Sequence, residues 1–189
     1  MFCGSSPGTS ERYVVAAREL GSALAARGVG LVYGGASVGL MGELADSVLV
    51  REGEAIGVIP RALVEREIAH PSLTELHVVE TMHERKALMS ELADAFVALP
   101  GGMGTLDELA EAFTWGQLGI HAKPCGLLDV DGFFEHLLAF LDRAVADGFL
   151  QREHRDALVV ENDANLLLDR LGTAQPLAPK RLPRPAPPP

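Results

Sequence analysis

The sequence predicts an α/β protein, a single domain built on a parallel sheet with helices on both faces. Three observations carry the prediction. Short apolar runs of strand length alternate with longer runs whose apolar residues recur at helical spacing. The strand-like runs are apolar throughout, as strands covered on both faces must be. A chain of 189 residues with 48% hydrophobic content is long enough for one well-buried domain and short for two.

In order, Phe2 to Gly8 is small and turn-forming. Thr9 or Ser10 caps a helix that runs to about Arg27 on an apolar face of Val14, Val15, Leu20 and Leu24, and Gly28 ends it. Val29 to Tyr33 reads as a strand. The glycine-rich turn Gly34 to Gly42 then feeds a helix through Leu44, Val48 and Leu49. Ala55 to Ile59 is a strand stopped by Pro60, Arg61 to Ser72 is irregular, and Leu76 to Val79 is a strand. The next helix starts at Thr81 and carries Leu88, Met89 and Leu92. Ala95 to Leu99 is the central strand, followed by a helix to about Leu118. Pro124 to Leu128 and Leu158 to Val160 are further strands; Phe133 to Asp147 and Ala164 to Leu171 are helices. The domain spans 1–175. The tail 176–189 is half proline, so it can form neither helix nor inner strand and is expected to be disordered.

A net charge of −10 argues against duplex nucleic acid or an anionic membrane as partner, since their phosphates would be repelled. Cys3 and Cys125 have no metal-ligand spacing, and no apolar run spans a bilayer, so a reduced compartment and cytoplasmic location are expected.

The densest chemistry lies in Leu99-Pro100-Gly101-Gly102-Met103-Gly104-Thr105-Leu106-Asp107-Glu108. A strand, a turn with three glycines and a helix N-terminus make a nest of N–H groups backed by a helix dipole, which suits a phosphate. Glu108 stands one turn into that helix as a candidate acid or base. Thr105 and Glu108 equally fit a capping box, with Thr105 as N-cap. In a parallel sheet ligands bind beyond the carboxyl ends of the strands. That rule gathers Gly4-Ser5-Ser6, Gly34 to Gly42, Met82 to Lys86 and Pro100 to Glu108 on one edge. Arg85 and Lys86 face the unfavourable end of a helix dipole, so either an acid such as Glu84 or a bound anion must offset them. His83 is a possible general acid, and Ser5 and Ser37 are possible donors to sugar or phosphate. The glycine spacing is not that of a dinucleotide fold, and G-K-[ST] is absent. NAD and ATP are therefore disfavoured and a mononucleotide stays open.

These segments resemble the Lonely-guy family of cytokinin riboside 5′-monophosphate phosphoribohydrolases, once labelled lysine decarboxylases. Pro100 to Glu108 matches its P-G-G-x-G-T-x-x-E motif, and Met82-His83-Glu84-Arg85-Lys86 its second signature. Phe2 to Ser6, Tyr33 to Gly42, Thr114 to His121 and Lys123-Pro124 also match, so the likeness covers residues 2–172. It implies a Rossmann-like homodimer, with no metal or cofactor, that hydrolyses the N-glycosidic bond of N6-modified adenosine monophosphates. By matching position, Arg85 and Glu108 would be catalytic and Gly102, Met103, Gly104 and Thr105 would hold the phosphate. Glu67, Lys86 and Thr114 would contact substrate, with Leu106, Asp107, Gly34, Gly35 and Ser5 around them. Asp107 stands where the family usually has glutamate. The family's first strand carries several more apolar residues than Phe2-Cys3 supplies, so a short or truncated strand is expected. Two alternatives remain: a general nucleoside monophosphate nucleosidase, and a non-catalytic carrier of a nucleotide or molybdenum cofactor. No motif for anchoring pyridoxal phosphate supports the older label.

Overall fold

The computed structural model describes residues 1–64, 69–175 and 179. The expected disorder of 176–189 therefore lies outside the described residues, Pro179 apart.

The elements follow the alternation seen in the sequence. Helix α1 (Glu11–Ala26) starts at Ser10, whose hydroxyl accepts from the Arg12 N–H. It ends at Gly28, where φ of +64° suits a residue without Cβ. Strand β1 (Leu31–Tyr33), helix α2 (Gly39–Leu49) and strand β2 (Ala55–Pro60) follow, then the short α3 (Arg61–Val64) and β3 (Glu75–Val79). Helix α4 (Met82–Leu92), β4 (Phe96–Ala98), α5 (Met103–Gln117), β5 (Cys125–Leu128) and α6 (Glu135–Ala146) come next. The described chain closes with α7 (Arg152–Ala157), β6 (Val159–Glu161) and α8 (Ala164–Thr173). Helices α3 and α7 were not expected: neither is long enough to show an apolar stripe.

All strand pairs are parallel, but the sheet comes in two halves, β3-β2-β1 and β4-β5-β6. The first residues of the chain join them. The Met1 amine donates to the Val32 carbonyl at 2.7 Å. Phe2 exchanges bonds with Val97 and Leu99, both 2.9 Å, and pairs with Ala98. Past Met1, β1 and β4 face each other across a cleft of about 790 Å³ lined by Gly30, Val32, Ala95 and Val97.

Alternation along the strands sends successive side chains to opposite faces. On one face Val97 and Leu99 join Leu31 and Tyr33 under α1, α2 and α8, through Leu20, Leu44, Val48 and Leu167. On the other, Phe96 and Ala98 pack with Val58 and Leu127 under α4, α5 and the start of α6, through Met89, Leu109, Ala112 and Phe134. Both faces are thus covered, as expected, except at the edge strand β3, where Leu76 and Val78 stay exposed. Among the described residues no helix is long and apolar enough to cross a membrane.

Candidate active site

The four glycine- and charge-bearing segments meet at the carboxyl ends of β1 and β4. The Gly4 N–H donates to the Pro100 carbonyl and the Leu40 N–H to the Gly4 carbonyl, both at 3.1 Å. Gly39, at φ +56°, lets α2 begin against Ser5: a Cβ there would lie 2.3 Å from the Ser5 carbonyl carbon. Together these turns enclose a cavity of about 230 Å³ lined by Ser5, Gly34, Met41, Arg85, Glu108 and the Gly102–Thr105 backbone.

The capping-box expectation is corrected by the start of α5. The N-cap is Gly102, not Thr105, and it has no side chain to cap with. The first intrahelical bond runs from the Leu106 N–H to the Gly102 carbonyl at 3.1 Å. The N–H groups of Met103, Gly104 and Thr105 precede it, so the helix leaves them without an intrahelical acceptor beside the cavity. Thr105 is buried against Gly101, where a Cβ would come 2.1 Å from its hydroxyl. Glu108 is thereby free of capping.

Glu108 instead faces Arg85 of α4, its Oε1 lying 3.5 Å from Nη2. The two side chains are only 10% and 8% exposed. At that distance the pair is an ion pair without a tight hydrogen bond. Arg85 Nη1 reaches the Met82 sulfur at 3.8 Å, and Nε is buried without a partner among the described residues. Burial raises the Glu108 pKa above its ordinary value, and the Arg85 guanidinium pulls it part of the way back. A carboxyl group tuned upward in this way takes up its proton at a higher pH than a solvated glutamate does.

Glu84 is not the acid that offsets the charges of α4. Glu84 reaches back to accept from the Glu80 N–H at 2.8 Å, while its own N–H is capped by Thr81. Lys86 Nζ lies 3.0 Å from Glu111 and 3.2 Å from Asp107. The compensating acids come from α5, whose spacing puts them on the face that meets α4.

Of the other residues singled out, Ser5, Gly34, Gly102, Met103 and Gly104 line the cavity with Arg85 and Glu108. Gly35 sits in the same turn at φ +79°, its carbonyl accepting from the His70 N–H at 2.9 Å. Lys86 and Asp107 pair with each other outside the cavity, Leu106 lines a separate apolar hollow with Phe133 and Phe134, and Thr114 and His83 are exposed. Glu67 lies outside the described residues. Met41 and Cys3 line the cavity without having been expected there. Position in the turn after each strand was the one signal available for them. Burial pushes the Cys3 thiol up to about 12, so it stays protonated.

Gly104 separates two roles for glycine. It is the second residue of α5, and a Cβ on it would meet no atom within 4 Å. The fold does not require glycine there; a ligand approaching the backbone would. Gly104→Ala is expected to leave thermal stability unchanged or raised by ~0.5–1 kcal/mol. It should weaken binding of a monophosphate about tenfold or more by covering the N–H nest. Thermal melting and ligand titration on one sample check both signs.

A family model described as "Possible lysine decarboxylase" matches residues 41–171. A probable cytokinin riboside 5′-monophosphate phosphoribohydrolase of Oryza sativa subsp. japonica is 54% identical over 171 residues, covering 90% of this chain and 75% of that protein. A cytokinin riboside 5′-monophosphate phosphoribohydrolase of Arabidopsis thaliana is 47% identical over 177 residues, covering 94% and 78%. Among solved structures, the molybdenum cofactor binding protein of Rippkaea orientalis superposes with a TM-score of 0.66 at 20% identity, covering 90% of this chain and 93% of that one. The Moco carrier protein of Chlamydomonas reinhardtii superposes at 0.65 with 23% identity, covering 90% and 92%. At these identities the two structures speak for the fold alone.

Proposed function

The chain belongs to the Lonely-guy family of cytokinin riboside 5′-monophosphate phosphoribohydrolases, and from that premise we propose how its own residues carry out the hydrolysis. It cleaves the N-glycosidic bond of N6-modified adenosine 5′-monophosphates, giving free base and ribose 5-phosphate. One observation carries the residue assignment. A sheltered carboxylate and guanidinium 3.5 Å apart stand beside a helix N-terminus with open N–H groups, over one cavity.

The substrate phosphate sits on the N–H groups of Met103, Gly104 and Thr105, where the helix dipole favours an anion. It lies away from the bond that breaks, so its binding energy serves to position the sugar. As the base departs, positive charge builds on the ribose, as in glycoside cleavage generally. Glu108 answers that charge and orients the attacking water. The water oxygen bonds to the anomeric carbon, the bonding pair leaves with the base nitrogen, and the water's proton goes to that nitrogen through the Glu108 carboxylate. Arg85, which lines the same cavity, holds the phosphate or polarises the departing base. The activity belongs to residues 1–175, working as a homodimer in the cytoplasm; Leu118 and Ile120, exposed just after α5, support a covered face.

Release of free base from isopentenyl-AMP, AMP and the unphosphorylated nucleosides tests this reading. Isopentenyl-AMP should react fastest, and loss of the phosphate should slow the reaction by about 10²-fold. Equal rates with and without phosphate would overturn the anion seat. A preference for plain AMP would make the protein a general nucleosidase, and binding without base release a carrier. The carrier reading leaves the Arg85–Glu108 pair unexplained, since binding needs only the cradle.

A further inference from the structure

Lys86 is held between carboxylates of one helix. Its Nζ lies 3.0 Å from Glu111 and 3.2 Å from Asp107, and its side chain is 14% exposed. The two partners are not equivalent. Asp107 is 60% exposed, so water and salt screen its pairing, whereas Glu111 is 21% exposed. Glu111 follows Glu108 by three residues, which places both on one face of α5. With Lys86, Ser90, Phe96 and Trp115 they surround a gap of only about 10 Å³, so the ammonium has no room to wander except from one carboxylate to another. Burial works to lower the Lys86 pKa, and the bonds to Glu111 and Asp107 outweigh it, so the cation is retained.

We propose that Glu111 is a positioning residue for the hydrolysis, acting through Lys86: it keeps the ammonium off Glu108 and locks α4 to α5 beside the Arg85–Glu108 pair. The proposal rests on the assignment of Glu108 given above. If Glu111 loses its charge, the strongest remaining attraction for Lys86 inside the gap is Glu108. A salt bridge there would hold Glu108 ionised but engaged, so that it no longer faces the sugar. The charged and titratable groups around Glu108 are the Met1 amine, the Cys3 thiol, Arg85 and Lys86 from α4, and Asp107 and Glu111 on its own helix. Among these, only Lys86 is held in place by Glu111.

Glu111→Gln keeps the shape and removes the charge. Its kcat should fall about tenfold while KM for the monophosphate changes little. The acidic limb of its rate profile should move down by about half a pH unit, because a nearer cation lowers a carboxyl pKa. In a Lys86→Met background, Glu111→Gln should move the limb no further. An unmoved limb, or a loss confined to melting temperature, would overturn the proposal. If Glu111→Gln does not fold, Glu111→Asp decides instead: a smaller shift in the same direction supports it and none overturns it. Wild-type protein that releases base from no monophosphate would sink the assignment of function, which is a different result from an active wild type with an unmoved limb.

Discussion

Glu108→Gln is expected to lower kcat for the monophosphate at least ~10²-fold, the lower end of what a positioned acid or base contributes, while binding persists. The substitution is nearly isosteric. The N–H nest at Met103–Thr105 is backbone and does not depend on the side chain changed. What disappears is the negative charge meant to face the sugar as its base departs. The wild-type profile should carry a matching signature. Burial raises the Glu108 pKa, so the carboxylate takes up its proton at higher pH than a solvated glutamate does. With ionised Glu108 as the working form of the proposed mechanism, the rate should fall as pH drops through that raised value. The residual rate of Glu108→Gln should lack this limb. Steady-state rates across the acid range, with monophosphate titration at one pH, check both points, and retained turnover would remove Glu108 from the mechanism.

Gly34→Ala is expected to be as damaging by a steric route. A Cβ at Gly34 would lie 2.2 Å from Arg85 Nη2 and 3.0 Å from the Met41 sulfur. The guanidinium is buried between this turn and Glu108, so it cannot retreat without leaving its partner. Separating a buried pair costs about 3–5 kcal/mol, and displacing a catalytic group by an ångström costs about 10²-fold in rate. Both kcat/KM and melting temperature should fall. Gly104→Ala, with nothing near its Cβ, should spare stability and lose only phosphate affinity. If Gly34→Ala had normal activity, Arg85 would not need its present seat.

These contrasts mark where sequence reasoning ran out. The order of strands and helices was legible because the inner strands are apolar on both faces, as β4 and β5 are, and the long helices carry a stripe, as α1 does with Leu20 and Leu24. The start of α5 was misplaced because Thr105 and Glu108 satisfy a local capping rule that tertiary packing overrides. Thr105 turns onto Gly101, and Glu108 turns onto a helix 23 residues earlier in the chain. The partner of Lys86 was missed for the same reason. Glu84 was the nearest acid in sequence, yet Glu111 and Asp107 are nearest in space.

By itself the sequence determined the α/β class, and it singled out the sheet edge and the glycine-rich turn on which the proposed site is built. Each of these follows from local rules: periodicity, glycine's missing Cβ and the dipole of the helix behind the turn. The tertiary structure alone decided that Arg85 and Glu108 are sheltered together, that Gly34 makes room for the guanidinium, and that Lys86 is drawn away by Glu111. Those outcomes depend on side chains from different segments excluding water from one another. No stretch of sequence contains that information until the sheet brings α4 and α5 side by side.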